Sequence, residues 1–241
     1  MSRAANLPEK HLMSDILTTI GSNPGQGKRV GARLARIAAA ALALTLGACA
    51  HRVQVKDTSR TFKTVVIDAG HGGSARGTCS RWGGAEKDAT LAVALRLEPK
   101  LRAAGFRTVM TRTRDVDVDL TERARISNRQ KNAIFVSIHF NEARSRRIRG
   151  TETYYRSQPS AGLASRIQRA VSSLPGNCSR GVKTANFRVL RLNQYPAVLV
   201  ECGYFSNPGE GSRCRQPARQ EAIASAIASA VIQQRGGPLR D

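Results

Sequence analysis

The sequence predicts a single α/β domain whose mixed, largely parallel sheet is flanked by helices on both faces, and three observations carry that expectation. From Phe62 onward, short runs rich in β-branched residues alternate with longer stretches of helical periodicity. The 241 residues are 41% hydrophobic and 23% charged, with 21 Gly and 9 Pro, which suits one core of ordinary size. No internal repeat, low-complexity block or second-domain boundary interrupts the alternation.

Thr64-Val-Val-Ile-Asp68 reads as a buried strand running into a glycine-rich turn, Asp68-Ala-Gly-His-Gly-Gly73. Asp88 is placed to cap a helix with apolar positions at Leu91, Ala94, Leu97, Leu101 and Ala104, closed by Gly105. Pro99 inside that span predicts a kink or break, at about 3 kcal/mol in a helix interior. Strands follow over Phe106–Thr111 and Ala133–His139, separated by a helix over 119–131. Gly150–Tyr155 is expected as a strand, about 160–174 as a helix, Phe187–Leu190 and Ala197–Glu201 as strands, and about 218–234 as the last helix.

Ahead of the domain, Lys28, Arg29, Arg33 and Arg36 precede the apolar run Ile37–Leu46, which is followed by Gly47-Ala48-Cys49. A basic flank, a short apolar segment and small residues are the layout of a secretory signal, and the run is shorter than the about 20 residues needed to span a bilayer. Leu46-Gly47-Ala48-Cys49 resembles the bacterial lipobox, which implies cleavage before Cys49 and its lipidation; an ordinary secretory signal with an incidental cysteine is the alternative. Ala50, in place of an aspartate, points to the outer membrane. Residues 1–48 are thus expected as a lipoprotein-type signal, with translation starting at Met1, Met13 or Val30, and residues 49–61 as a polar tether.

The 39 Lys+Arg against 17 Asp+Glu give a net charge of +22, of which +18 remains on residues 49–241. Such an excess implies an anionic partner. Nucleic acid is the least favoured, because aromatics are only 5% and no zinc-finger, RRM or basic-zipper spacing occurs. Arg144, Arg146, Arg147 and Arg149 cluster after one predicted strand, either as a solvated loop or as a contact for acidic groups of a partner or of membrane lipids.

Beyond residue 48 there are three histidines, His51, His71 and His139, and the last two stand at the carboxyl ends of predicted strands, where α/β proteins build sites. Glu86 opens the first helix, and Glu201 ends the otherwise apolar run Val198-Leu-Val-Glu201. Each has a structural alternative: a hydrogen-bonded histidine, a carboxylate at a helix N-terminus, an ion pair with one of the many arginines. Two imidazoles and one carboxylate are nonetheless the ligand set of catalytic zinc, with a second carboxylate available as general base.

Six segments then occur in order: Asp68-x-Gly-His-Gly-Gly73, Glu86-Lys-Asp88, Thr111-Arg112-x-x-Asp115 with Leu120 and Arg123, Ser137-Ile-His139-x-Asn141, Gly150-x-Glu-Thr-Tyr-Tyr155 and Val200-Glu-Cys-Gly-Tyr-Phe-Ser-Asn207. Together they resemble the zinc-dependent N-acetylmuramoyl-L-alanine amidases of bacterial cell walls, over residues 62–235, with 236–241 left as a tail. The resemblance implies that His71, Glu86 and His139 bind Zn2+, that Glu201 is the catalytic acid/base, and that Asp68 and Asn141 support them. Manganese or iron could occupy similar ligands. It also implies peptidoglycan as substrate and, with the lipobox, a membrane-anchored envelope protein facing the periplasm, with no nucleic-acid partner. A catalytically silent peptidoglycan-binding lipoprotein and a metallopeptidase acting within the stem peptide stand as alternatives.

Two departures from the family pattern bear on the cleft. Ser74-Ala-Arg-Gly-Thr-Cys79 replaces the usual Asp-Pro-Gly-Ala segment, and the chain runs from Tyr155 towards Ser160 without the inserted inhibitory helix of activator-controlled members, so an open groove is expected. With Cys49 lipidated, Cys79, Cys178, Cys202 and Cys214 remain. Cys79 and Cys178, both in glycine-containing loops, are the preferred disulfide, and Cys202 is expected on the opposite strand face from Glu201.

Overall fold

In a computed structural model, residues 54–79 and 84–236 are described; the expected signal, Cys49 and the tail beyond Gly236 lie outside them. The strands β1 (Thr64–Ala69), β2 (Arg107–Met110), β3 (Ala133–Asn141), β4 (Thr151–Tyr155), β5 (Ser179–Thr184) and β6 (Ala197–Tyr204) form one sheet in the order β2-β1-β3-β6-β4-β5. Neighbours are parallel except β4 and β6, which are antiparallel. The sheet is therefore mixed and largely parallel, as the sequence predicts.

Alternation along the central strands supplies two cores. Val65, Ile67, Val136, Ile138, Val198 and Val200 face one layer, built by α1 (Glu86–Ala103), α3 (Ala161–Ser172) and α6 (Pro217–Arg235). Val66, Phe135 and Leu199 face the other, smaller layer, to which α2 (Leu120–Asn128) and α4 (Arg188–Arg191) contribute Ile126, Val189 and Leu190. Glu201 has the parity of Leu199, whereas Cys202 is buried in the larger core, so the two point to opposite faces. Among the described residues, no helix is long and apolar enough to cross a membrane.

Several local expectations are corrected. Phe187–Leu190 is not a strand: Val189 and Leu190 are adjacent and both buried against the same sheet face, which a helical turn permits and a strand's alternation does not. Helix α1 begins at Glu86 rather than behind Asp88, because the Glu86 amide is held by the Thr78 carbonyl (2.9 Å) and Cys79 bridges Ala85. It also runs through Pro99 unbroken. Pro99 and Leu95 lie on its exposed face, where water can reach the carbonyl that the ring leaves unpaired.

Strand β5 escaped the sequence reading because Ser-Arg-Gly-Val-Lys-Thr has the charge and glycine of an edge strand. Helix α5 (Pro208–Cys214) escaped too, although it carried a start signal: Pro208 in its first turn behind Asn207, whose side chain accepts from the Glu210 amide. The expected tether up to Thr61 is fastened to the domain from Lys56, whose amide donates to the Gln194 carbonyl, and the buried Thr58 hydroxyl donates to Ala133. The Cys79–Cys178 disulfide is not formed and all four described cysteines are free thiols. Each loop is held elsewhere, Cys79 against Ala85 and Cys178 through the Thr151 amide.

Candidate metal centre

Parallel strands deliver their carboxyl ends to one edge of the sheet, and the site is assembled there. β1 ends at Ala69 and the chain turns at His71, which adopts a left-handed φ of 59°. A non-glycine residue held in that region is strained, and such strain persists only where neighbours over-determine it. Two arginines do so. Arg123, from α2, donates to the carbonyls of Ala69 (2.7 Å) and His71 (2.6 Å), and Arg112 to those of Ala69 and Gly70 (both 2.9 Å). Arg123 is itself locked by a buried ion pair with Asp68 (2.7 Å), whose carboxylate also accepts from the Thr111 and Ser137 hydroxyls.

His139 arrives on β3, beside β1, and its ring meets that of His71 edge to face with centroids 4.9 Å apart. Glu86 reaches in from the first turn of α1. Its Oε1 lies 3.1 Å from His71 Nε2 and 3.0 Å from His139 Nδ1, and accepts from the Phe140 amide; Oε2 accepts from the Thr78 amide at 2.9 Å. Burial alone would raise its pKa, but the hydrogen bonds and charge of the two histidines outweigh it and hold the carboxyl well below the usual range.

One donor atom from each of His71, Glu86 and His139 lies within 4.8 Å of the others, so these three can hold a metal ion. The surroundings fit that use. A Cβ on Gly70 would stand 2.4 Å from the His139 ring, and one on Gly77, at φ +64°, would stand 2.5 Å from Glu86 Oε2 and 2.7 Å from the His71 ring. The donors are thus cradled by backbone that only glycine allows. Two imidazoles and a carboxylate suit zinc and neighbouring divalent transition metals.

Glu201 lies across from His139 in the β3–β6 register and across from Glu152 in the β4–β6 register. Its Oε2 is buried without a hydrogen-bond partner. Burial first, then the negative charges of Glu86 and Glu152, push its pKa well above the ordinary carboxylate value, so the group holds a proton where most carboxyls have lost theirs. A cavity of about 680 Å3 opens between the sheet edge and the α2–α4 layer, touching His71, His139 and Glu201. The chain passes from Tyr155 through a short 3-10 turn (Gln158–Ser160) straight into α3, and the His71 side chain keeps 28% exposure, as the open groove requires.

The structure therefore brings together His71, Glu86, His139 and Glu201. Asp68 acts at one remove through Arg123, while the Asn141 side chain accepts from the neighbouring Glu142 amide. The Arg144–Arg149 arginines lie on an exposed loop. Sequence reasoning placed Arg112 and Arg123 in motifs without giving them a task, and their task is to grip carbonyls 42 to 54 positions away.

Residues 65–233 match the sequence profile of the N-acetylmuramoyl-L-alanine amidase family. The uncharacterized protein YqiI of Bacillus subtilis (strain 168) is 36% identical over 199 residues, covering 81% of this chain and 94% of that one. The amidase LytC of the same organism is 34% identical over 174 residues, covering 70% of this chain and 35% of LytC. Among solved structures, the catalytic domain of CwlV, an N-acetylmuramoyl-L-alanine amidase from Bacillus (Paenibacillus) polymyxa var. colistinus, superposes with a TM-score of 0.69 at 35% identity, covering 71% of this chain and 97% of that domain. The chain belongs to the N-acetylmuramoyl-L-alanine amidase family.

Proposed function

We propose that this family member is a zinc-dependent N-acetylmuramoyl-L-alanine amidase, hydrolysing the amide between the lactyl group of N-acetylmuramic acid and L-alanine of the peptidoglycan stem. The observation that carries the reading is a buried carboxylate oxygen of Glu201, without a partner, beside a cavity it shares with two histidines of a three-residue metal-binding cluster. His71, Glu86 and His139 would hold the ion, which when bound supplies Lewis acidity towards the scissile carbonyl and makes water a better nucleophile at neutral pH.

This chain's own residues do the rest. In its ionised form Glu201 takes the proton of the attacking water on its carboxylate and passes it to the alanine nitrogen as the C–N bond breaks, leaving a muramoyl carboxylate and a free peptide amine. A carboxyl whose pKa is raised suits both halves of that transfer. Glu86, kept charged, gives a permanent negative donor, and Arg112 and Arg123 hold His71 in its left-handed conformation. Residues 62–235 are taken as the catalytic domain. In the full chain we place it at the envelope, exported by residues 1–48 and anchored in the outer membrane by a lipid on Cys49, facing the periplasm.

Mass analysis of muropeptides after incubation with residues 49–241, with and without a chelator and after zinc is restored, tests the activity. Peptides beginning with L-alanine, lost on chelation and regained with zinc, are expected. Cleavage within the stem peptide, or none, would overturn the reading. Palmitate labelling of the full chain and of Cys49→Ala tests the anchor.

A further inference from the structure

We propose that the cavity beside the metal-binding cluster receives the muramoyl sugar of the substrate, gripped by Phe187 and Leu120, with the Tyr154–Glu152 pair fixing Phe187 in place. The proposal rests on the reading that the substrate is a muramoyl peptide.

Among the described residues three large hydrophobic side chains are exposed, Leu95, Leu120 and Phe187. Leu95 stands on the outer face of α1, but Leu120 and Phe187 both line the cavity that touches His71, His139 and Glu201. Scattered exposed apolar residues need no explanation; two that converge on one cavity mark a ligand groove. Between them the lining is apolar too, through Val118, Val189 and Leu199.

The aspartates in the same lining are engaged by the protein, while Arg188, which also lines the cavity, is exposed. Asp68 is paired with Arg123. Asp117 accepts from the Ser74 amide and hydroxyl, and Asp119 from the Thr121 amide, with the charge of Arg188 nearby. What the cavity offers a ligand is thus mostly neutral, apolar surface. Arg188 can pair with one carboxylate of the stem peptide, but the apolar walls between Phe187 and Leu120 hold no partner for the others. The muramoyl group instead brings the C–H faces of a pyranose ring and the methyls of its acetyl and lactyl groups. Pyranose C–H faces pack against exposed aromatic rings, and Phe187 presents one.

Phe187 is held from behind. Its ring meets that of Tyr154 at 5.1 Å between centroids and 64°, an edge-to-face contact. The Tyr154 hydroxyl donates to Glu152, a buried carboxylate. Glu152 also accepts from the Tyr204 hydroxyl (2.8 Å) and Arg180 Nε (2.6 Å), and lies 3.1 Å from Lys183 Nζ. Four donors on one carboxylate leave Glu152 little freedom, and through it Tyr154. Tyr154 and Glu152 are positioning residues for Phe187.

Two substrates separate the sugar from the rest: an N-acetylmuramoyl tripeptide and the corresponding D-lactoyl tripeptide, which keeps the scissile amide and lacks the ring. Phe187→Ala should raise KM for the muramoyl substrate about tenfold with kcat little changed, and leave the lactoyl substrate unaffected. Leu120→Ala should do the same to a smaller degree. Tyr154→Phe, which keeps the ring and removes the hydroxyl, should raise the muramoyl KM about threefold. Independently of activity, titrating metal-free protein with the peptide-free N-acetylglucosaminyl-N-acetylmuramoyl disaccharide should shift the Phe187 ring protons in NMR, with weaker binding by Phe187→Ala at an unchanged backbone spectrum. Equal KM changes on both substrates, no change on either, or disaccharide shifts elsewhere would overturn the proposal. If the wild type cleaves neither substrate, the hydrolytic reading fails while the disaccharide titration still decides the sugar site.

Discussion

Glu86 and Glu201 stand at the same edge of the same sheet, and the chain treats them in opposite ways. Both oxygens of Glu86 are engaged, by two imidazoles and two backbone amides, and its carboxyl is held charged. One oxygen of Glu201 is buried without a partner and its carboxyl is pushed towards the protonated form. Hydrogen bonds to the charged form win over desolvation at Glu86, whereas at Glu201 nothing opposes desolvation and two neighbouring carboxylates add to it. The difference teaches that a fixed anion and a mobile proton need contrary surroundings. Chain topology supplies them by bringing one carboxylate in on a helix and the other on a strand.

The largest effect expected from breaking the contrast is on the Glu86 side. His139→Ala should reduce metal content, measured by inductively coupled plasma mass spectrometry after dialysis, to background and abolish hydrolysis; retained metal would show that the cluster is not the binding site. On the other side, Glu201→Gln should slow hydrolysis by about 10²–10⁴, the range of a general acid/base. Next comes the support behind His71. Asp68→Asn breaks the buried pair with Arg123 and should cost about 3–5 kcal/mol in denaturant unfolding of the metal-free protein. It should also weaken metal binding about 10–100-fold. An unchanged unfolding midpoint would remove Asp68 from that role.

The smallest effect concerns pH. Because the native Glu201 carboxyl keeps its proton to higher pH than the unfolded one, whose reference value is 4.5, native stability falls as pH rises above about that value. Glu201→Gln removes this loss. In metal-free protein its melting temperature should exceed that of wild type by a few degrees at neutral pH, at ~2–4 °C per kcal/mol for a domain of this size, and match it below about pH 4.5. A constant difference at all pH values would contradict the assigned burial of charge.

The two halves of the comparison were unequally legible in the sequence. His71, His139, Glu86 and Glu201 stood out because histidines are few and a carboxylate ending an apolar strand is conspicuous. The central strands were equally plain, since Val and Ile buried on both faces leave continuous runs. What supports those residues was hidden. Arg112 and Arg123 act through hydrogen bonds to distant carbonyls, which no periodicity records. Phe187 was read as part of a strand because four residues with β-branched and aromatic members fit a strand and a helical turn alike, and only their packing against β3 and β6 separates the two. The Cys79–Cys178 expectation failed because counting thiols fixes no geometry.

The claim that Glu86 and Glu201 have separate tasks is tested most directly by measuring metal content and muropeptide hydrolysis together in Glu201→Gln. Metal bound as in wild type, with release of L-alanine-terminated peptides lowered by at least about a hundredfold, is the predicted result. Loss of the metal along with activity, or activity that survives the substitution, would contradict it.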